Sequence, residues 1–138
     1  MHQSGYSTLR HILFRLDPEI AHNISICLLA AAPKLKPVRR WLTDFFDYND
    51  SRLATSVFGL RFVNPVGVAA GYDKNAIAID GLGTLGVGHV EVGTITPKAQ
   101  YGNQRPRIFR MPEDNALINC MGFPNHGMEK VAPRLETA

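Results

Sequence analysis

The sequence predicts an α/β fold built on parallel strands and preceded by a pair of helices, and three stretches carry that expectation. Val66 to Ala70 is a near-continuous apolar run of strand length, the pattern of a strand buried on both faces. Ala78, Leu82 and Leu85 then recur at helical spacing within residues 76–85, weakened by Gly81 and Gly83. His89-Val90-Glu91-Val92-Gly93 reads as a second strand, so strand, helix and strand make a βαβ unit. Asp73 and Lys74, just past the end of the first strand, stand where open α/β sheets and (β/α) barrels place their active sites. On this pattern alone, a buried strand followed by a solvated turn accounts for them equally well.

At 138 residues, 45% hydrophobic and 20% charged, the chain has the composition of one globular domain with a real core. No internal repeat or low-complexity tract interrupts it. The net charge of +3 is unevenly spread: residues 1–42 hold six Lys/Arg against two Asp/Glu, and the remainder nine against ten. That is too little charge, without an aromatic-rich strand pattern, to argue for nucleic acid as a partner, whereas a membrane surface suits a basic amino-terminal segment. Cys27 and Cys120 lie far apart with no metal-type spacing to any of the five His, and are expected as reduced thiols with no metal site.

Taken in order, residues 1–5 are short and polar, with no apolar region of the kind a cleaved secretory signal needs. Tyr6, Leu9, Ile12, Leu13 and Leu16 mark one face of a short amphipathic helix. Asp17-Pro18-Glu19 starts a second helix, with Asp as cap, Pro at the first helical position and Glu in the first turn. Ile20, Ile24, Cys27 and Ala31 form one stripe of that helix, and His22, Ile26 and Leu29 another. Two apolar faces require two partners. The run from Ile24 to Ala32 is far short of the about 20 residues a spanning helix needs. Pro33 and Pro37 are expected to end the helix, and Lys34, Lys36, Arg39 and Arg40 follow where a hairpin resting on a membrane would meet anionic headgroups. A helical pair packed on its own domain fits the same pattern.

Residues 41–50 lack a clear period and read as a linker partly packed by Trp41, Phe45 and Phe46. Ser56-Val57-Phe58 and Leu60-Arg61-Phe62 flank Gly59 as a short hairpin. Beyond the βαβ unit, residues 98–106 form a polar Gly/Pro loop, and Ile108-Phe109 a short extended piece. Ala116-Leu117-Ile118 reads as a third strand ending in Asn119, and Met128, Val131 and Leu135 as the start of a further helix.

Four separated motifs, in order, resemble dihydroorotate dehydrogenase: Asn64 to Lys74, Val90 to Pro97, Arg105 to Asp114, and Asn119-Cys120-Met121-Gly122-Phe123. The Leu16-Asp17-Pro18-Glu19 helix start resembles the membrane-associated, quinone-dependent class. The resemblance implies a (β/α)₈ barrel with FMN at the carboxyl ends of its strands, behind an amino-terminal helical pair that receives ubiquinone or menaquinone. Such a barrel takes about 250 residues. This chain is therefore expected to hold only its first part: residues 1–42 the helical pair, 43–54 a linker, and 55–138 the first strands of the barrel. The family's activity is oxidation of dihydroorotate to orotate in pyrimidine biosynthesis, at the cytoplasmic face of a bacterial-type cell membrane.

Carried over by resemblance, Ala70, Gly71, Tyr72, Asp73, Lys74 and Thr94 would hold the flavin. Small residues there would let its ring approach, and the Lys74 cation would stabilise charge developing on the reduced ring and reach the substrate carboxylate. Lys74, Asn119, Cys120, Met121, Gly122 and Phe123 resemble the substrate loop, in which an amide matches the pyrimidine's own amides and an aromatic closes the apolar side. Cys120 stands where the family carries a larger residue, and Pro124 where it carries Asn. His22 and Arg110 resemble the two polar residues of the quinone tunnel; Arg110 has a salt bridge to Glu113 or Asp114 as its structural alternative. The family's catalytic base is a serine after the fourth strand. No serine of this chain matches it, so no catalytic residue is assigned and the chain alone is expected to be inactive. Two other functions remain: a soluble fumarate- or NAD-linked relative, against which the basic helical pair argues, and a membrane-associated quinone- or lipid-binding module without catalysis.

Overall fold

The computed structural model describes residues 9–48 and 50–138. Tyr6 and the polar start lie outside them. A helix whose described part is 9–13 (α1) leads into α2, Pro18–Ala31. The Asp17 carboxylate accepts from the Glu19 and Ile20 amides at 2.9 and 3.0 Å, satisfying donors that the first helical turn leaves free. A 3₁₀ turn, Ala32–Lys34, joins α2 to α3, Lys36–Phe46. The reading of Pro37 as a stop and of residues 41–46 as part of a linker is thus corrected. Pro37 lies in the first turn of α3, where its missing amide proton is not needed. Val38, Leu42 and Phe45 then recur at helical spacing, Trp41 stacks on Phe45 with centroids 5.7 Å apart, and Phe45 meets Phe46 edge to face.

The hairpin is as expected. Strands β1, Thr55–Val57, and β2, Leu60–Phe62, pair antiparallel through a Phe58-Gly59 turn in which both residues have positive φ. The βαβ unit also forms, with β3, Gly67–Val68, pairing parallel to β4, His89–Val90, across α4, Ile79–Gly83. Asn64, itself buried, fixes the approach to β3 by donating to the Gly86 carbonyl at 2.9 Å and accepting from the Val66 amide at 3.0 Å.

Two strand expectations change. The first strand is two residues long and not buried on both faces: Val66, Ala69 and Ala70 are exposed, because β3 has a single paired neighbour among the described residues. The third strand does not extend this sheet. Strand β6, Ala116–Asn119, pairs antiparallel with β5, Ile108–Met111, as an exposed hairpin. The described strands thus make three two-stranded sheets, and no barrel closes from them. A last helix, α5, covers Met128–Glu136.

The buried apolar side chains among the described residues are Ala21 and Ile26 of α2, Ala76, Ala78 and Leu82 at α4, and Val131 of α5. Of the two stripes on α2, the one with Ile26 packs toward α4, and the one with Ile20, Ile24, Cys27 and Ala31 is exposed. No helix among the described residues is long and apolar enough to cross a membrane.

Candidate functional site

At the carboxyl ends of β3 and β4 the chain crosses itself closely. The Gly71 amide donates to the Gly93 carbonyl at 2.8 Å, and the Gly93 amide to the Asp73 carbonyl at 3.2 Å. An open cleft of about 750 Å³ lies here, between the strand ends, the β5–β6 hairpin and α2. Ala70, Gly71, Lys74 and Thr94 line its strand-end side, Asn119, Met121 and Phe123 the hairpin side, and His22 and Arg110 the helical side. Gly71 has φ +101° with open space where a side chain would stand, so the strand end presents bare backbone to the cleft.

The Lys74 ammonium donates to the Gly71 carbonyl, which leaves two of its three protons for a ligand. Burial lowers it from its ordinary value, Glu19 and Asp73 pull it back up, and Arg107 adds to the lowering. His22 is half-buried. Its imidazole is pushed down by burial first and by the Lys74 cation second, so the neutral ring dominates at neutral pH. Arg110 donates to the Leu16 carbonyl at 2.7 Å and lies 4.7 Å from the Phe14 ring centroid, a cation–π contact. It ties the turn after α1 to β5, and the alternative salt bridge to Glu113 or Asp114 is not formed among the described residues.

Three expected site residues do not line this cleft with their side chains. Asp73 is 1% exposed and its carboxylate accepts from the Asn75 and Ala78 amides at 3.1 and 2.7 Å, so it caps the turn into α4. Cys120 is exposed, with its amide donating to the Arg107 carbonyl at 2.9 Å. Gly122 is a backbone position with φ +72°, packed against Asn103. Tyr72 does line the cleft, and its side chain leans on α2.

A family model described as dihydroorotate dehydrogenase matches residues 52–138. This chain belongs to the dihydroorotate dehydrogenase family. It is 50% identical over 133 residues to the dihydroorotate dehydrogenase (quinone) of Pseudomonas aeruginosa, covering 96% of this chain and 37% of that protein. The corresponding protein of Roseiflexus sp. is 49% identical over 132 residues, with the same coverage. The chain thus spans little more than a third of the length of these curated relatives. The crystal structure of Eimeria tenella DHODH in complex with ferulenol matches with a TM-score of 0.73 at 44% identity, over 88% of this chain and 30% of that one. The mixed helix-and-strand architecture is therefore that of a dihydroorotate dehydrogenase, without a closed barrel.

One feature is not legible in the sequence, where Glu19 reads only as an acid in the first turn of a helix. Glu19 is buried and clasped by two arginines: Arg105 donates to it at 2.8 and 3.0 Å, Arg107 at 2.6 and 3.1 Å. The Arg107 and Arg105 guanidiniums hold the Glu19 carboxyl down at about 2, against the opposing effect of burial. The remaining Arg107 nitrogen donates to the Tyr101 and Asn103 carbonyls at 2.6 and 2.9 Å. The helix carrying His22 is thereby bolted to the loops beside residues 119–123. Buried Asn125 does similar work, donating to the Phe123 carbonyl at 2.8 Å and accepting from the Gly127 and Thr96 amides. No spacing in the sequence signals the Glu19 clasp, because Arg105 and Arg107 lie in the loop before β5 and meet a partner 86 and 88 residues away in the chain.

Proposed function

We propose that this chain is part of a quinone-dependent dihydroorotate dehydrogenase that oxidises (S)-dihydroorotate to orotate. In this reading residues 55–138 are the first part of a (β/α)₈ barrel, 1–42 the quinone-receiving helical region and 43–54 the connection between them. The observation that carries it is the single cleft shared by Lys74, Thr94 and Asn119 at one end and His22 and Arg110 at the other. An oxidation that passes electrons from one reactant to another through a bound group needs both to reach that group.

The residues present fit FMN. Gly71 leaves open space, Ala69 and Ala70 are small, and a flat ring could lie against the strand ends with Thr94 at its edge. FMN, when bound, would take the hydride from dihydroorotate and pass the electrons to a quinone. Lys74, with two free protons, would hold the substrate carboxylate and stabilise negative charge next to it. Asn119 would pair with the pyrimidine amides and Phe123 cover the ring's apolar side. Neutral His22 and cationic Arg110 would each offer a donor to a quinone carbonyl. The exposed Ile20, Ile24 and Leu28 of α2, with the basic residues that follow, would rest on the cytoplasmic face of the membrane that supplies the quinone.

The test is a chimera in which this chain replaces the matching segment of the Pseudomonas aeruginosa protein, assayed for dihydroorotate-dependent reduction of a short-chain ubiquinone. Turnover is expected from the chimera and none from the 138-residue chain alone. Lys74→Ala in the chimera should lower the rate by about 10²-fold or more. A chimera that folds with bound flavin but does not turn over would sink the reading, and vesicle binding without flavin or turnover would favour the non-catalytic module.

A further inference from the structure

Tyr72 belongs by sequence to the strand-end loop, yet its side chain reaches α2. Its ring meets that of His22 edge to face, with centroids 5.2 Å apart and planes at 87°. Its hydroxyl lies 2.9 Å from Ser25 Oγ. Ser25 has one proton, which it donates to the His22 carbonyl at 2.7 Å, so the Tyr72 phenol is the donor in the contact with Ser25. His22 and Ser25 are three residues apart on one face of the helix, and Tyr72 grips both. On the far side of Tyr72 lies a second cavity of about 450 Å³, reached by Glu19, Arg107 and Asn125. His22, Tyr72 and Lys74 line both cavities, and Tyr72, between Gly71 and Lys74 in the chain, is the one whose ring meets His22.

We propose that Tyr72 is a positioning residue that sets the separation between the electron-donating end of the cleft, at Gly71 and Lys74, and its quinone end, at His22. The inference rests on the proposed function. The ring restricts rotation of the imidazole, and the hydroxyl prevents α2 from sliding along the 71–74 loop. The arrangement requires a hydroxyl at both positions. Phenylalanine at 72 would keep the ring contact and lose the tie, and alanine at 25 would lose the same tie from the helical side.

The experiment titrates a short-chain ubiquinone into the full 138-residue chain, following the His22 ring signals by NMR, for the parent, Tyr72→Phe, Ser25→Ala and the double variant. Each single change is expected to weaken quinone binding roughly threefold to tenfold, the worth of one neutral hydrogen bond, with the circular dichroism of the fold unchanged. The double variant should bind no more weakly than either single one, because both remove one bond. Quinone binding by Tyr72→Phe as tight as by the parent, or effects that multiply in the double variant, would overturn the role of Tyr72 and leave the quinone cleft standing. A parent chain whose His22 signals ignore the quinone would remove the acceptor assignment and the Tyr72 role together.

Discussion

Glu19 is the residue on which the position of the helical region most depends. It meets two guanidiniums, and Arg107 is itself buried, so the loss of Glu19 would leave a buried cation uncompensated. The carboxyl is held at about 2, from an ordinary 4.5. A carboxyl lowered by folding stabilises the fold above its unfolded value, and that stability drains away as pH falls through the folded one. At about 1.4 kcal/mol per pH unit, the clasp contributes about 3 kcal/mol at neutral pH and loses it between 4.5 and 2. Glu19→Gln should therefore destabilise the chain by about 3–5 kcal/mol at pH 7 and flatten the acid limb of its stability curve, as read by denaturant melts across pH. An unchanged acid limb in the variant would mean that another carboxylate carries the transition.

The elements meet where small residues allow it. Gly81 lies in α4 directly beneath the Leu29 carbonyl of α2, and a side-chain carbon added there would collide with that backbone oxygen. Gly81→Ala should gain a little helix propensity and lose more by parting the helices, a net destabilisation of about 1–3 kcal/mol in thermal melts, whereas exposed Gly83→Ala, with nothing nearby, should be neutral or stabilising. What the sequence made legible at this scale was local. Asp17 announces its helix because a carboxylate, a proline and an acid follow one another, and Gly59 announces its hairpin through a turn that needs positive φ. The rest depended on distant partners. Pro37 stops one helix and starts another equally well, and the proline by itself does not decide between them. Strand β6 carries the same apolar run whether it joins a parallel sheet or folds back on β5. Lys74, Asn119, His22 and Arg110, which the motifs single out, line one cleft, whereas the clasp on Glu19 and the inward turn of Asp73 follow from contacts that motif spacing does not encode.

At the scale of the whole molecule, the excess of basic residues coincides with one of the exposed apolar surfaces. The basic excess lies within residues 1–42, and the same region exposes Ile20, Ile24 and Leu28 on α2 and Leu35 and Trp41 beyond it. Exposed apolar side chains so close together have either a partner or a surface to cover them. Covering each would gain about 1.5–3 kcal/mol, and each basic residue near an anionic surface about 1 kcal/mol more. Two separable contributions follow, one blind to salt and one screened by it. In vesicle co-sedimentation the chain should bind phosphatidylglycerol-containing vesicles more tightly than neutral ones, and raising salt from 0.1 to about 1 M should erase the difference while leaving a residual affinity. Ile24→Asp should remove that residual affinity, and charge reversal at Lys34 and Lys36 should remove the salt-sensitive part alone. Equal binding to both vesicle types would place the basic segment elsewhere than at a membrane and leave the helices to pack on protein.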